Sequence, residues 1–250
     1  MMRVGVIMLL LHSVLGKHIK VDLPDLVNLV PPETVDKLIV PSFLGRWYQM
    51  YTSLLPVLSF EKDGQCVTAD YYDPSVSLKE ISFHVVNSQT VGSPTGPLQQ
   101  ATGTATNNMP LLFPGKYRLS LTSSDVDAGT IDGFYWILET GDIEPGETQY
   151  PWAIVTTPGQ VQLFVLSRDP DTFREKYKEL VLQRLKDRNF VFPYNKPIET
   201  VHTPECNYVP EPTGEWMTGK DDGPPGEDTS EEGEEGLGKE GPGKEGPGKE

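Results

Sequence analysis

The chain has 250 residues, with 21 Lys and Arg against 36 Asp and Glu and a net charge of −15. That length supports one barrel- or sandwich-sized domain, or two small domains, with a real hydrophobic core, while the negative balance argues against nucleic acid, whose phosphates need Lys and Arg to displace condensed counterions. Two cysteines rule out a disulfide-dense miniprotein and a Cys-based zinc site, and permit at most one bridge.

At the start of the chain Arg3 precedes the apolar run 4–11, and Val14 and Gly16 stand at the −3 and −1 positions of a cleavage site. This pattern predicts a secretory signal peptide over residues 1–16. His12, Ser13, Lys17 and His18 interrupt the run well short of the roughly 20 apolar residues a membrane span requires. No later stretch is as long, so no transmembrane segment is predicted. The mature chain is expected to be secreted and extracellular, in an oxidising compartment where Cys66 and Cys206 can pair. No Asn-x-Ser/Thr sequon occurs, so no N-glycan is expected. Residues 17–42 read as a lead-in segment.

From 43 to 209 the sequence reads as one folded unit. Short apolar or alternating runs recur at 45–55, 65–72, 80–87, 98–106, 115–122, 133–140, 150–157 and 161–168, parted by Gly, Pro, Asn and Asp. They are rich in β-branched and aromatic residues, as in 81–86 and 134–138, and predict eight antiparallel strands. No helical pattern separates them, which excludes a parallel α/β sheet. A sandwich and an up-and-down barrel both remain open on this pattern. The period then changes. Asp169 and Pro170 form an N-cap and first helical position, and Phe173, Tyr177, Leu180, Val181 and Leu185 mark the apolar stripe of one amphipathic helix lying outside the sheet. An extended segment carrying Cys206 follows.

Residues 210–250 predict a disordered tail of Gly, Pro, Glu and Lys, which cannot bury enough apolar surface to offset the entropy of ordering it. From 211 onward it holds 4 Lys against 13 acids. Two G-x-G-x-x-G matches beginning at Gly236 and Gly241 neither follow a strand nor open a helix, so they are accidents of composition.

Gly45-Arg46-Trp47-Tyr48 opens the first strand. The triplet Gly-x-Trp is not specific alone, and a second copy, Gly214-Glu215-Trp216, falls in the tail. Its context is specific: it precedes eight strands, and the eighth ends in Ser167-Arg168 directly before the helix. That order resembles the lipocalin family from Phe43 to Cys206. The blocks 43–48, 64–71, 135–138 and 165–170 are most similar to the apolipoprotein D and bacterial branch of the family. One departure is Thr140-Gly141-Asp142, where that branch has Thr-Asp-Tyr; it implies a longer loop before Tyr150.

The resemblance implies an all-β, eight-stranded antiparallel up-and-down barrel with one C-terminal helix packed outside. It implies that Trp47 closes one end with Arg168 over its indole face, a cation–π contact of roughly 0.5–2 kcal/mol, and that Gly45 lets the chain approach closely at that corner. It also implies a Cys66–Cys206 bridge. Taking Trp47 and Arg168 as inward, strand alternation turns Gln49, Tyr51 and Ser53, and Gln162, Phe164 and Leu166, toward the interior. The family match adds Val67, Ala69 and Tyr71, with Phe83, Val85, Asn87, Tyr135 and Ile137 following. The expected lining is aromatic and aliphatic with a few amides and hydroxyls, no charge is placed inside it, and His84 faces out.

The chain shows no Gly-x-Ser-x-Gly elbow, phosphate loop or His-Glu-x-x-His, and its four histidines lack metal-ligand spacing. No catalytic residue, metal or cofactor is therefore expected. The leading expectation is a secreted carrier of a small hydrophobic molecule such as a fatty acid, sterol or related lipid. The alternatives are a lipocalin isomerase using a barrel thiol as nucleophile and an interaction module acting through the acidic tail.

Overall fold

The alternating runs form strands that pair in chain order in a computed structural model, which describes residues 32–123 and 130–211. The signal peptide, most of the lead-in and the tail beyond Glu211 lie outside the described residues. The strands are β1 (Gly45–Thr52), β2 (Gly64–Val76), β3 (Ile81–Val91), β4 (Leu98–Asn107), β5 (Lys116–Ser123), β6 (Thr130–Thr140), β7 (Trp152–Thr156) and β8 (Leu163–Ser167). Each is antiparallel to its neighbour, and β1 pairs with both β2 and β8. The sheet therefore closes on itself, which removes its free edges and decides between barrel and sandwich. Register runs across the wall: Phe83 faces Ala105, Ala105 faces Leu119, and Tyr117 faces Tyr135. Strand alternation then sends these side chains to one surface, the barrel interior.

Two apolar clusters result. One is internal, with Phe43, Trp47, Tyr71, Phe83, Tyr117, Ile137 and Val155. The other lies between the outer wall and the helix, with Met50, Tyr51, Ile154, Leu163 and Val165 facing Phe173, Tyr177, Val181 and Leu185. β7 contributes to both, and all five of its residues are buried. A strand covered on both faces reads as continuously apolar rather than alternating.

Among the described residues three helices other than the 3-10 turn Pro158–Gln160 accompany the barrel: α1 (Val40–Phe43), α2 (Leu54–Leu58) and α3, built of Pro170–Thr172, a π-type stretch Phe173–Tyr177 and Lys178–Asp187. Asp169 caps α3 by accepting from the Thr172 N–H at 2.7 Å. The buried row is Phe173, Tyr177, Val181 and Leu185, spaced by four. Leu180, expected in the stripe, is exposed because it lies off that row. The first strand is also shorter than 45–55: it ends at Thr52, and Ser53 leads into α2.

The C-terminal segment is part of the wall. Beyond Tyr48, β1 parts from β2, and a two-residue strand β9 (Ile198–Glu199) takes that edge, with Tyr51 facing Glu199 and Thr52 facing Ile198. The Thr200 N–H donates to Met50 O at 3.0 Å and the Cys66 N–H to Val201 O at 2.8 Å, so the segment fills the seam between β1 and β2. Cys66 and Cys206 are joined across 140 residues. Farther along, Arg46 makes a buried two-point contact with Asp70 at 2.8 and 2.7 Å and donates to Val209 O at 2.7 Å.

Candidate functional site

The barrel differs at its two ends. At the end where β1 begins, Gly45 has φ +92°, and a Cβ there would stand 3.4 Å from an Arg168 guanidinium nitrogen. The Arg168 guanidinium carbon lies 3.6 Å from the Trp47 ring centroid. The guanidinium nitrogens donate to the carbonyls of Arg46, Leu44, Ser42 and Tyr150 at 2.6, 2.8, 3.1 and 3.3 Å. These include carbonyls at the C-terminus of α1 that the helix itself cannot satisfy. Burial lowers the guanidinium pKa to about 9, which leaves it charged at neutral pH. The Trp47 Nε1–H donates to Phe43 O at 2.8 Å. This end is closed by a cation held by four carbonyls and the indole face.

Above the stopper lies a stack of rings. Phe43 stacks on Tyr71 at 5.7 Å, Tyr71 meets Phe83 at 5.2 Å, and Phe83 meets Tyr117 at 5.2 Å. The Tyr71 and Tyr135 hydroxyls share a hydrogen bond of 2.9 Å. Burial raises both phenols above the usual tyrosine range. The Tyr117 hydroxyl is buried without a hydrogen-bond partner among the described residues.

From this floor a cavity of about 430 Å³ rises toward the other end, within the range of small-molecule sites. Of the side chains expected inside, Gln49, Val67, Ala69 and Tyr71 line it on β1 and β2, Asn87 on β3, Tyr135 on β6, and Phe164 and Leu166 on β8, with Gln162 just before that strand. The others do not. Tyr51 packs outside the barrel, 6.1 Å from Phe173 beneath α3, because a register shift between Gln49 and Tyr51 breaks the alternation. Phe83, Val85 and Ile137 do point inward, but they belong to the packed core below the cavity. Ser53 is likewise absent from the lining, and its hydroxyl accepts from the Leu163 N–H at 3.0 Å.

The lining also contains residues that sequence reasoning does not single out: Gln99, Gln100 and Ala101 of β4, and Leu119 and Leu121 of β5. β4 carries little polarity contrast, so alternation along it is mute, but pairing Asn87 with Ala101 and Gly103 with Leu121 identifies the inward set at once. The small Ala101 leaves room in the cavity where a larger residue would fill it, while Gly103 is required by the close approach of β5. At Gly103 a Cβ would lie 1.8 Å from Ser120 O.

Glu61, in the loop after α2, is buried at the cavity wall, although the sequence reading places no charge inside. The Gln49 Nε2–H donates to its Oε2 at 3.0 Å and reaches Thr200 Oγ1 at 3.4 Å. Among the described residues no cation pairs with Glu61. Burial raises the carboxyl to about 7, opposed by the hydrogen bond from Gln49. Loop residues are hard to place by periodicity, and a single Glu between Phe60 and Lys62 carries no sequence signal of burial.

Behind this wall His202 is buried between two partners: Nε2 donates to Gln49 O at 2.9 Å, and Nδ1 lies 2.8 Å from Tyr208 Oη, whose hydroxyl then donates to it. Burial lowers its pKa to about 4. His84 is exposed and stacks on Tyr72. Both cysteines are consumed in their disulfide, so the free nucleophile required by a thiol-dependent isomerase is missing. No helix among the described residues is long and apolar enough to cross a membrane.

Residues 38–193 match the family model described as a lipocalin-like domain. Temperature-induced lipocalin-1 of Arabidopsis thaliana is 26% identical over 187 residues, covering 74% of this chain and 92% of that protein. Among solved structures, a biogenic amine-binding protein aligns with TM-score 0.47 at 16% identity, covering 71% of this chain and 90% of that one. Japanin from Rhipicephalus appendiculatus, bound to cholesterol, aligns with TM-score 0.41 at 12% identity, over 68% of this chain and 100% of that one.

Proposed function

The chain belongs to the lipocalin family, and from that premise we propose that it is a carrier holding one small, largely hydrophobic molecule non-covalently in the barrel without transforming it. The observation that carries this reading is the cavity of about 430 Å³ above a sealed aromatic floor, walled by Val67, Ala69, Leu119, Leu121, Phe164 and Leu166. Moving apolar surface of a ligand onto such a wall contributes about 25 cal/mol per Å², and the amides of Gln49 and Asn87 can orient a polar head. Molecules with the apolar body of a fatty acid, a sterol or a related lipid suit this wall. The signal-like pattern at 1–16 and the Cys66–Cys206 bond support a mature chain that works outside the cell. The four sequence blocks support a place near apolipoprotein D and the bacterial lipocalins.

The test is titration of the purified, disulfide-intact protein with a fluorescent fatty acid and a fluorescent sterol, together with native mass spectrometry of protein from its own host. Saturable one-to-one binding or a co-purifying lipid is expected. Absence of both signals would overturn the carrier reading. Deleting Glu211–Glu250 is expected to leave binding unchanged; loss of binding would move the function to the tail.

A further inference from the structure

We infer that Glu61 and Gln49 form a head-group site for a protonated amine, so that the cavity takes an amphiphilic amine in preference to a carboxylate of the same chain. The inference deepens the carrier reading and rests on it. Glu61 is 9% exposed and belongs to the wall of a cavity whose other charged residues, Lys62 and Asp132, are both exposed. A buried carboxylate without a counter-ion is costly, and the cost is relieved by protonation or by a cation that arrives with a ligand. Gln49 holds the carboxyl in place through one oxygen. An ammonium group supplies both hydrogen-bond donors and the missing positive charge, and its apolar tail would lie along Leu166 and Phe164.

The surrounding charges point the same way. Asp63 follows Glu61 on its own loop and Asp132 stands on β6 at the cavity, both exposed like the one cation beside them, Lys62, while Glu199, bordering the smaller space behind Glu61, is paired with Lys178 at 3.6 Å. A ligand carboxylate entering beside Glu61 would meet like charge. Burial that lifts the Glu61 carboxyl to about 7 adds a pH signature: amine affinity should rise between pH 5.5 and pH 8 as the carboxyl ionises, while the amine stays protonated throughout.

The experiment compares dodecylamine, 1-dodecanol and dodecanoate, below their micellar concentrations, as competitors of a neutral fluorescent probe at pH 8. In the unaltered protein the amine is expected to bind roughly 10- to 100-fold tighter than the alcohol, the gain of a charge-assisted hydrogen bond, with the acid weakest. In Glu61→Gln, which keeps the side-chain shape, the amine should fall to the level of the alcohol, the alcohol should change little, and the rise with pH should vanish. Near-ultraviolet circular dichroism checks that this variant keeps its packed aromatic floor; if it does not, the pH dependence of the unaltered protein decides. Equal or weaker binding of the amine, or an amine preference that survives Glu61→Gln, overturns the inference and leaves the carrier reading standing. Absence of binding by all three and by the probe overturns both.

Discussion

The two ends of the barrel solve opposite problems with the same eight strands. At the closed end large rings interlock and Arg168 donates to four backbone carbonyls. At the open end the small Ala69 and Ala101 line a space, β1 and β2 separate, and a buried carboxyl stands without a counter-ion among the described residues. The closed end is where stability should be concentrated, since dense packing and satisfied polar groups both favour the fold. The open end gives up packing for a space, and a covalent tether holds the strap that repairs its seam. Binding sites are generally drawn from such less stable regions.

Removing the tether should have the largest effect. The double variant Cys66→Ser, Cys206→Ser releases a constraint on 140 residues, worth up to about 5 kcal/mol on the chain-entropy model. Urea denaturation should register that loss, with hydrogen exchange increasing first at 198–206. Uniform acceleration across the barrel would show that the strap is not a separate element.

Trp47→Ala should cost about 3–5 kcal/mol, because a fully buried indole leaves a void and strands Arg168. The matching change at the other end, Leu121→Ala, should cost less, about 2 kcal/mol at the low end for a buried leucine, since its side chain already borders empty space. Ligand affinity should respond in the opposite order. Equal stability losses at the two sites would erase the distinction drawn between the ends.

Acid and base should strain the open end in different windows. His202 has its pKa lowered from 6.5 to about 4, so its contribution is present above pH 6.5 and is lost as pH falls toward 4, by about 3 kcal/mol in all. Glu61 has its pKa raised from 4.5 to about 7. Its contribution is present below pH 4.5 and is lost as pH rises through 7, again by about 3 kcal/mol. Glu61→Gln should therefore stabilise the ligand-free protein at pH 8 and leave it nearly unchanged at pH 4.5, as read by urea midpoints. His202→Gln should flatten the acid limb. A Glu61→Gln protein less stable than its parent at pH 8 would mean that the carboxylate is already paired.

The smallest effect separates wall from function. Val67→Leu, pointing into the cavity, should shift stability by no more than about 0.5 kcal/mol yet weaken ligand binding by reducing the space. No change in binding would place the ligand elsewhere.

Much of this architecture is legible in the order of the amino acids alone. Short alternating runs set eight antiparallel strands, Asp169-Pro170 and a four-residue spacing set the outer helix, and Gly45, Trp47 and Arg168 mark one end. These are local properties: alternation follows from the two-residue pleat, and capping from backbone donors at a helix start. Tertiary structure decided the rest. A register shift of one residue turned Tyr51 out to Phe173 although periodicity pointed it inward. Depth along the barrel axis separated Phe83 and Ile137 in the packed core from Tyr135 at the cavity, a distinction that alternation cannot make because all three face the same way. Glu61 became an interior group only because a loop without periodicity folds against the seam between β1 and the returning C-terminal segment. Faces are written in the order of neighbouring residues, whereas depth and burial of a loop depend on which distant segments meet there.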